Sequence, residues 1–339
     1  MPTDSYQAVL DQLNGKKSIL LATHAKPDGD ALGSVAAMSL GLRAKGIASR
    51  VLLFDPPPEK YAMILQENQI AWFELNQSAG KRNWPADVNP HSFDALLVLD
   101  TGTWSQLPGL KELLAEFKSP KIVVDHHLTQ EGWADLKLVI SDAAAAGEIV
   151  ADLLKRWGIP IDRPIATTLF LAIATDTGWF QFSNTRPKTM RLAADLMEAG
   201  VDTERLYRLA MQNERPQRLA LSGRALQSLE LLAANRLAVM SLSQFDFQQI
   251  AAGPQDTENL VNLPMQVGEV EVSVLIVESP GNEPHRINLR SKGGVDVAAF
   301  AQRYQGGGHA RAAGLKMTGD LVAARREISQ ALIAELDRA

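Results

Sequence analysis

Four short stretches of this chain set carboxylates and imidazoles at the ends of apolar runs. The run Ser18–Ala22 (SILLA) leads into Thr23-His24-Ala25-Lys26-Pro27-Asp28-Gly29-Asp30, where Pro27 and Gly29 impose a turn that can gather His24, Asp28 and Asp30. The run Ala95–Leu99 (ALLVL) ends in Asp100-Thr101-Gly102, and Lys121–Val124 (KIVV) ends in Asp125-His126-His127. A fourth apolar segment, Leu169–Ala174, ends in Thr175-Asp176-Thr177-Gly178. Such a donor set, rich in carboxylate and free of thiol, suits two hard or borderline divalent ions, Mn²⁺ or Mg²⁺. Two ions ~3.5–4 Å apart form the usual clamp for hydrolysing a phosphate ester. Each stretch also has an ordinary reading: Asp28 and Asp30 as turn residues, Asp100 and Asp176 as helix N-caps, His126-His127 as a packed pair. Taken singly, those readings are the stronger. Four apolar segments that all end in potential ligands favour the metal.

A second feature lies far downstream. Gln305-Gly306-Gly307-Gly308-His309-Ala310-Arg311-Ala312-Ala313-Gly314 offers backbone N–H groups that an anion can approach closely. The small residues after the glycines could open a helix whose N-terminus attracts phosphate. His309 and Arg311 add donors, and Arg286, Arg290 and Ser291 lie on or just after a strand that could face the loop. The ordinary reading is a flexible linker with Arg311 in solvent. A nucleotide substrate held at both ends, one at metals and one here, would need such a loop. His91 reads as a surface residue, and His285 is given no role.

These groups need a scaffold. Ser5–Leu13 has helical spacing, Leu32–Ala44 reads as a closely packed helix stopped near Gly46, and Arg50–Phe54 reads as a strand. With Ser18–Ala22, Ala95–Leu99 and Lys121–Val124 as further buried strands and Leu110–Phe117 as a helix, the pattern predicts an α/β domain whose mostly parallel sheet is flanked by helices. In such sheets ligands bind beyond the carboxyl ends of the strands, where three of the four clusters fall. Ala143–Trp157 and Ile165–Thr175 are helical, and Pro187–Arg224 is a helical segment polar on one face. Beyond it, strands at Arg236–Leu242, Val270–Val277 and Arg286–Arg290 and helices at Val295–Tyr304 and Leu321–Leu336 predict a smaller α+β domain. The expected division is 1–186, a helical connector 187–224, and 225–339.

Composition narrows the function. In 339 residues there are 34 Lys+Arg and 39 Asp+Glu, a net charge of −5, which excludes a wholly basic surface gripping long nucleic acid but leaves room for a local basic pocket. Aromatic residues are 6% and form no stripe interleaved with basic ones, which opposes a single-strand-binding module. With no cysteine, disulfides, Cys-ligated zinc, iron–sulfur clusters and thiol nucleophiles are out. Met1–Ser5 lacks the basic start of a secretory signal and no apolar run nears the ~20 residues that span a bilayer, so no membrane partner and a cytoplasmic location are expected.

Read together, H-A-K-P-D-G-D-A-L-G-S, the Asp after V-L, the literal Asp125-His126-His127 and T-D-T-G resemble, in order, the four motifs of the DHH phosphoesterase family. G-G-G-H-A-R-A-A-G preceded by L-R-S resembles the type 1 DHH-associated domain. The two-domain size looks most like the nanoRNase / 3′-phosphoadenosine-5′-phosphate (pAp) phosphatase branch, since RecJ exonucleases are larger, family II pyrophosphatases have a different second domain, and the membrane-bound phosphodiesterases carry transmembrane regions. The resemblance implies a Mn-dependent enzyme that cuts short RNA oligonucleotides to mononucleotides and dephosphorylates pAp. It implies His24, Asp28, Asp30, Asp100, His126 and Asp176 as ligands of two metal ions, with Asp100 and Asp176 bridging. Asp125 would orient His126, and His127 would contact the scissile phosphate. Ser183-Asn184-Thr185 would support the site. Arg290, Ser291, Gly307, Gly308, His309 and Arg311 would bind the substrate's distal phosphate or base. Two alternatives stand beside it: hydrolysis of linear or cyclic signalling dinucleotides (pApA, c-di-AMP type), and a non-catalytic nucleotide-binding regulator. The sequence carries no sign of oligomeric state.

Overall fold

Short apolar runs bounded by turn residues make poor isolated helices and good buried strands, and they do so here. The computed structural model describes residues 5–78, 81–281 and 283–338; residues 1–4, which enter the signal-peptide reading, lie outside these. It divides into two compact units, Met1–Asn213 and Glu214–Ala339.

The first unit runs α1 (Ser5–Leu13), β1 (Ser18–Ala22), α2 (Gly29–Ala44), β2 (Ala48–Leu53), α3 (Glu59–Glu67), β3 (Trp72–Glu74), a small hairpin β4 (Asn76–Ser78) and β5 (Lys81–Asn83), β6 (Ala95–Leu99), α4 (Leu110–Leu113), β7 (Lys121–Asp125), β8 (Leu136–Val139), α5 (Ala146–Arg156), α6 (Arg163–Asp176), α7 (Pro187–Glu198) and α8 (Thr203–Met211). Six strands form one sheet in the order β3-β2-β1-β6-β7-β8, and every pairing is parallel. Strand side chains alternate between faces, so Ile19, Leu21, Leu97, Leu99, Ile122 and Val124 enter one core while Leu20, Ala22, Leu96, Val98 and Val123 enter the other. The strand order reverses between β1 and β6. That reversal opens a crevice at the carboxyl ends of these two strands.

The apolar segment ending at Asp176 is helix α6, packed on α2. Small residues let the two backbones meet: a Cβ on Gly33 would sit 2.5 Å from the Thr168 carbonyl oxygen. A Cβ on Gly147 of α5 would sit 2.5 Å from the Ala172 methyl. The start of α2 and the end of α6 thus converge over the crevice.

The second unit runs α9 (Pro216–Gln227), β9 (Glu230–Leu232), β10 (Leu237–Leu242), α10 (Gln244–Ile250), β11 (Val272–Val277), β12 (His285–Ser291), α11 (Val297–Gln302), β13 (Gly307–His309), β14 (Ala312–Met317) and α12 (Leu321–Leu336). Its sheet has the order β13-β14-β12-β11-β10-β9, with β10–β11 parallel and the other pairs antiparallel. Helices α11 and α12 cover one face through Val297, Phe300, Ile328 and Leu332. Leu221, Ala225 and Phe247 cover part of the other through Met240, Leu242, Leu275 and Val277.

Three expectations change. Segment 187–224 is helical but is shared: Leu192, Leu196, Leu206 and Leu209 join the first unit's core, whereas Leu221 joins the second's. The glycine loop is not followed by a helix, because Ala312–Met317 pairs along β12 and turns Gly307–His309 back as an edge strand. Leu110–Phe117 makes only one α-turn before tightening to a 3₁₀ turn at Leu114–Glu116. Among the described residues no helix is long and apolar enough to cross a membrane.

Candidate metal centre

β1 and β6 end side by side, so His24 and Asp100 meet at the crevice, with the His24 Nε2 3.4 Å from Asp100 Oδ2. Asp100 holds φ +65°, a left-handed conformation that Asp tolerates better than most residues and that bends the chain off the strand end. Its amide still donates to the Val124 carbonyl at 3.0 Å. Asp28 is not a plain turn residue: it caps α2 by accepting from the Ala31 amide at 3.0 Å, and it also lies 3.8 Å from His24 Nε2.

The second set gathers around His126. Its Nε2 lies 3.4 Å from Asp100 Oδ1, 3.9 Å from Asp30 Oδ2 and 3.7 Å from Asp176 Oδ2. Ligand atoms thus fall into three overlapping groups among the described residues, His24–Asp28–Asp100, Asp30–His126–Asp176 and Asp100–Asp125–His126–His127, each with its atoms within 4.8 Å of one another. One oxygen of Asp100 faces His24 and the other faces His126. Asp176 groups with Asp30 and His126, and its carboxylate also feels the charges of Asp100 and Asp28.

Asp30 is fixed from an unexpected direction. Its carboxylate accepts from the Ala146 and Gly147 amides at the start of α5, at 2.7 and 2.9 Å, and from the Ser34 hydroxyl at 2.9 Å. A carboxylate at a helix N-terminus is well placed. Asp176, at the C-terminal end of α6, is placed against the helix dipole. Asn184 steadies that end by donating to the Asp176 and Ala144 carbonyls at 3.2 and 2.9 Å.

The histidines are presented in defined ways. His24 Nδ1 contacts the Ala25 carbonyl at 2.9 Å and His126 Nδ1 contacts the Ala143 carbonyl at 3.3 Å. Both rings therefore keep their proton on Nδ1 and turn an Nε2 lone pair to the site when neutral, as metal-ligating imidazoles do. His127 differs. Asp125 and His127 lie two residues apart on an extended end, hence on the same side, and the Asp125 Oδ1 accepts a hydrogen bond from His127 Nδ1 at 2.8 Å. Asp125 thus orients the ring of His127, not that of His126, whose backbone amide alone it accepts, at 2.7 Å. Gln130 donates to the other Asp125 oxygen at 2.5 Å, and Gly102 leaves the room, since a Cβ there would overlap the Gln130 amide.

Electrostatics follow from crowding. Burial and the charges of Asp100 and Asp176 push the Asp30 carboxyl well above its ordinary range. Burial, with Asp100 and Asp28, raises Asp176 to about 6 against the relief that His126 gives. Burial disfavours charge on His24, yet bonding to Asp100 and Asp28 outweighs it and lifts the imidazole to about 11. The same contest, with Asp100 and Asp30 as partners, lifts His126 to about 10. Bonding to Asp125 raises His127 despite burial. The buried Asp100 Oδ1 has no hydrogen-bond partner among the described residues. Converging carboxylates, two presented Nε2 atoms and an unbonded buried oxygen fit divalent cations.

In the second unit, Arg290 lies on the open face of β12, with Ala312 of β14 opposite. Gly307, Gly308 and His309 pair with Gly314, Ala313 and Ala312, and the Ser291 amide donates to the Arg311 carbonyl at 3.0 Å. Strand alternation sends Ser291 to the buried face, where its hydroxyl accepts from the Gly293 amide at 2.9 Å. His285 is buried with Nδ1 accepting from the Ser279 amide at 3.3 Å, and His91 is exposed. The signals missed in the sequence were Gln130, Gly102 and the α5 N-terminus; only the missing side chain of Gly102 could have hinted at the first.

Residues 18–173 match the DHH family, N-terminal domain, and residues 236–337 match the DHHA1 domain. A Thermus thermophilus protein named bifunctional oligoribonuclease and PAP phosphatase NrnA is 30% identical over 95% of this chain and 91% of its own length. A Bacillus subtilis protein of the same name is 23% identical over 88% of each. The crystal structure of an exopolyphosphatase-related protein from Bacteroides fragilis shares the fold, with TM-score 0.86 at 22% identity over 97% of this chain and 95% of that one. With these two domains in order and a relative 30% identical along nearly all its length, the chain belongs to the DHH family.

Proposed function

We propose that this protein is a metal-dependent phosphoesterase that hydrolyses short RNA oligonucleotides to mononucleotides and removes a phosphate from pAp. The observation that carries the reading is the pair of ligand groups joined by Asp100, with the Asp125–His127 couple beside it. The names of the relatives supply the substrate class.

His24, Asp28 and Asp100 would hold one ion, and Asp30, Asp100, His126 and Asp176 the other. Bound there, two divalent ions, Mn²⁺ with Mg²⁺ as substitute, supply Lewis-acid activation of water and neutralise phosphate charge. The chain's own part is positioning and proton transfer. The α5 amides and Ser34 hold Asp30 in one rotamer, and the backbone carbonyls hold His24 and His126 with Nε2 inward. Asp125 keeps the Nδ1 proton of His127, and its raised affinity for a second proton suits Nε2 to protonate the departing sugar oxygen. Arg290, Ser291, Gly307, Gly308, His309 and Arg311 serve the substrate's distal phosphate or base, Ser291 through the backbone turn it stabilises. The reaction is assigned to the cytoplasm.

Protein stripped with EDTA and reloaded with Mn²⁺ or Mg²⁺ tests this on a dinucleotide, pAp and pApA. Hydrolysis of a dinucleotide and of pAp, absent without ion and restored by Mn²⁺, is expected. Failure on both with Mn²⁺ present refutes it.

A further inference from the structure

The Asp30–His126–Asp176 group depends on one stretch of backbone. His126 Nδ1 contacts the Ala143 carbonyl at 3.3 Å, and Asp30 accepts from the Ala146 and Gly147 amides at 2.7 and 2.9 Å. Asn184 ties the Ala144 carbonyl to that of Asp176, donating to them at 2.9 and 3.2 Å. Residues 143–147 are alanines followed by a glycine, with no side chain that could anchor them. They run into the first turn of α5, where helix amides have no partner within the helix. The His24–Asp28–Asp100 group uses none of these atoms. His24 contacts the Ala25 carbonyl, Asp28 accepts from the Ala31 amide, and the Asp100 amide donates to the Val124 carbonyl.

The anchor is Glu148, one residue further on and fully buried. Its Oε2 accepts from the Ala144 amide at 3.2 Å and from the Thr189 hydroxyl of α7 at 3.0 Å. Its Oε1 meets the Arg186 guanidinium and the Lys188 ammonium, each at 3.0 Å. Arg186 also reaches Asp142, just before the alanines, at 2.5 Å, and Lys188 reaches Asp152 at 2.8 Å. Four donors, from Ala144, Arg186, Lys188 and Thr189, thus converge on one carboxylate. A carboxylate taken out of water is costly unless it is paired in this way, and a well-packed apolar side chain often serves stability as well or better. Packing alone therefore does not account for an acid at 148. Its bond to the Ala144 amide does, because that bond fixes the stretch that presents the ligands.

We propose that Glu148 is a positioning residue for one of the two metal ions. Together with Arg186, Lys188 and Thr189 it clamps residues 143–147 between α5 and the start of α7. That stretch sets the angle of the His126 ring through the Ala143 carbonyl. Alongside Ser34, it sets the rotamer of Asp30 through the Ala146 and Gly147 amides. Through Asn184 it also braces the end of α6 that carries Asp176. Glu148 thereby acts on all three ligands of this group without bonding to any of them. The effect falls on the ion held by Asp30, His126 and Asp176 and spares the one held by His24 and Asp28. The proposal rests on the metal-dependent reading above.

The test follows Mn²⁺ uptake by the full chain, stripped with EDTA, using EPR and titration calorimetry. Wild type is compared with Glu148→Gln, Thr189→Val and Thr189→Ser. Glu148→Gln keeps the shape and removes the charge. It should raise the Kd of one ion at least about tenfold and leave the other unchanged. At a Mn²⁺ concentration that saturates wild type, its kcat on pAp should fall while KM holds. Thr189→Val, which takes one donor from Oε2, should move the same Kd in the same direction, and Thr189→Ser should return it to the wild-type value. A purely structural role would lower the melting temperature of the metal-free variants and leave both Kd values in place. That result, or an equal rise in both, overturns the proposal. If Glu148→Gln does not fold, the Thr189 pair decides by the same readings. Wild type that binds fewer than two ions overturns the two-ion reading and this proposal with it. Two ions held equally tightly by wild type and variants overturn the role of Glu148 alone.

Discussion

Asp100→Asn is the sharpest test of the metal centre. Asparagine preserves the side-chain shape and is among the few residues that accept φ near +65°, so the bend after β6 survives where alanine would add strain. The amide-to-Val124 bond is backbone and survives too. In metal-free protein the change has opposing effects. Each imidazolium 3.4 Å from an Asp100 oxygen loses an attraction of about 5 kcal/mol at an effective dielectric of 20. Asp30 and Asp176 lose a repulsion of the same kind. The melting temperature without metal should therefore move little. With metal the two proteins part. An ion present at a hundred times its Kd stabilises wild type by ~2.7 kcal/mol, which for a unit of this size is roughly 5–10 °C. The variant, lacking the carboxylate whose two oxygens lie 3.4 Å from His24 and from His126, should show almost none of that rise. Its kcat should fall at least ~10³-fold, about 4 kcal/mol of lost transition-state stabilisation. Differential scanning calorimetry with and without Mn²⁺, beside steady-state hydrolysis of pAp, reads both. A variant that keeps the metal-induced rise and wild-type turnover refutes the shared role of Asp100.

Three further outcomes follow from the same geometry. Because His24 and His126 are raised from 6.5 to about 11 and 10, each contributes less stability to the metal-free fold as pH rises from 6 to 9, whereas Asp176, raised to about 6, changes its contribution mainly below that range. Ion binding must displace those protons, so the Kd for Mn²⁺ should fall and the metal-induced stabilisation grow over that range; calorimetry in buffers of different ionisation enthalpy should count the released protons, and a pH-independent Kd contradicts it. Asp125→Asn should lower kcat about 10–100-fold and shift the alkaline limb of the pH–rate profile downward, since His127 loses the carboxylate that raises it; an unmoved limb removes His127 as the proton donor. Gly33→Ala should cost about 1–3 kcal/mol in denaturant unfolding, because its methyl would meet the Thr168 carbonyl oxygen at 2.5 Å and force α2 off α6; wild-type stability would show that the helices yield freely.

Which parts of this were legible in the sequence depends on the range of the interaction. Strands β1, β6 and β7 announce themselves as apolar runs, and a polar residue at the end of such a run has one place to go. That is why His24, Asp100 and the Asp125–His127 stretch could be placed at a common edge from spacing alone. The division of labour within the edge is another matter. Asp30 is held by amides 116 and 117 positions away, and nothing near Asp30 or Ala146 signals the other. The contact exists because Gly33 and Gly147 let three helices close up, a matter of packing that composition only hints at. Likewise, Asp125 selects His127 over His126 through the two-residue period of an extended chain, which becomes readable only once β7 is known to run through Asp125.

The second unit makes the same point from the other side. The run of three glycines suggested a loop opening a helix, because in sequence nothing distinguishes a glycine kept for its conformation from one kept for its bare surface. Pairing does. Once Gly308 lies opposite Ala313 and Gly306 presses on the Gly314 carbonyl, those two glycines are explained by contacts, and the pair at 307 and 314 is left without a folding reason. The register that puts Gly314 opposite Asn288 also puts Lys316 opposite Arg286. A single hairpin thereby sets a bare backbone surface beside two facing cations, an adjacency that neither position shows alone. Local pattern finds residues that act by type; the ones that act by adjacency across strands appear only when the sheet is assembled.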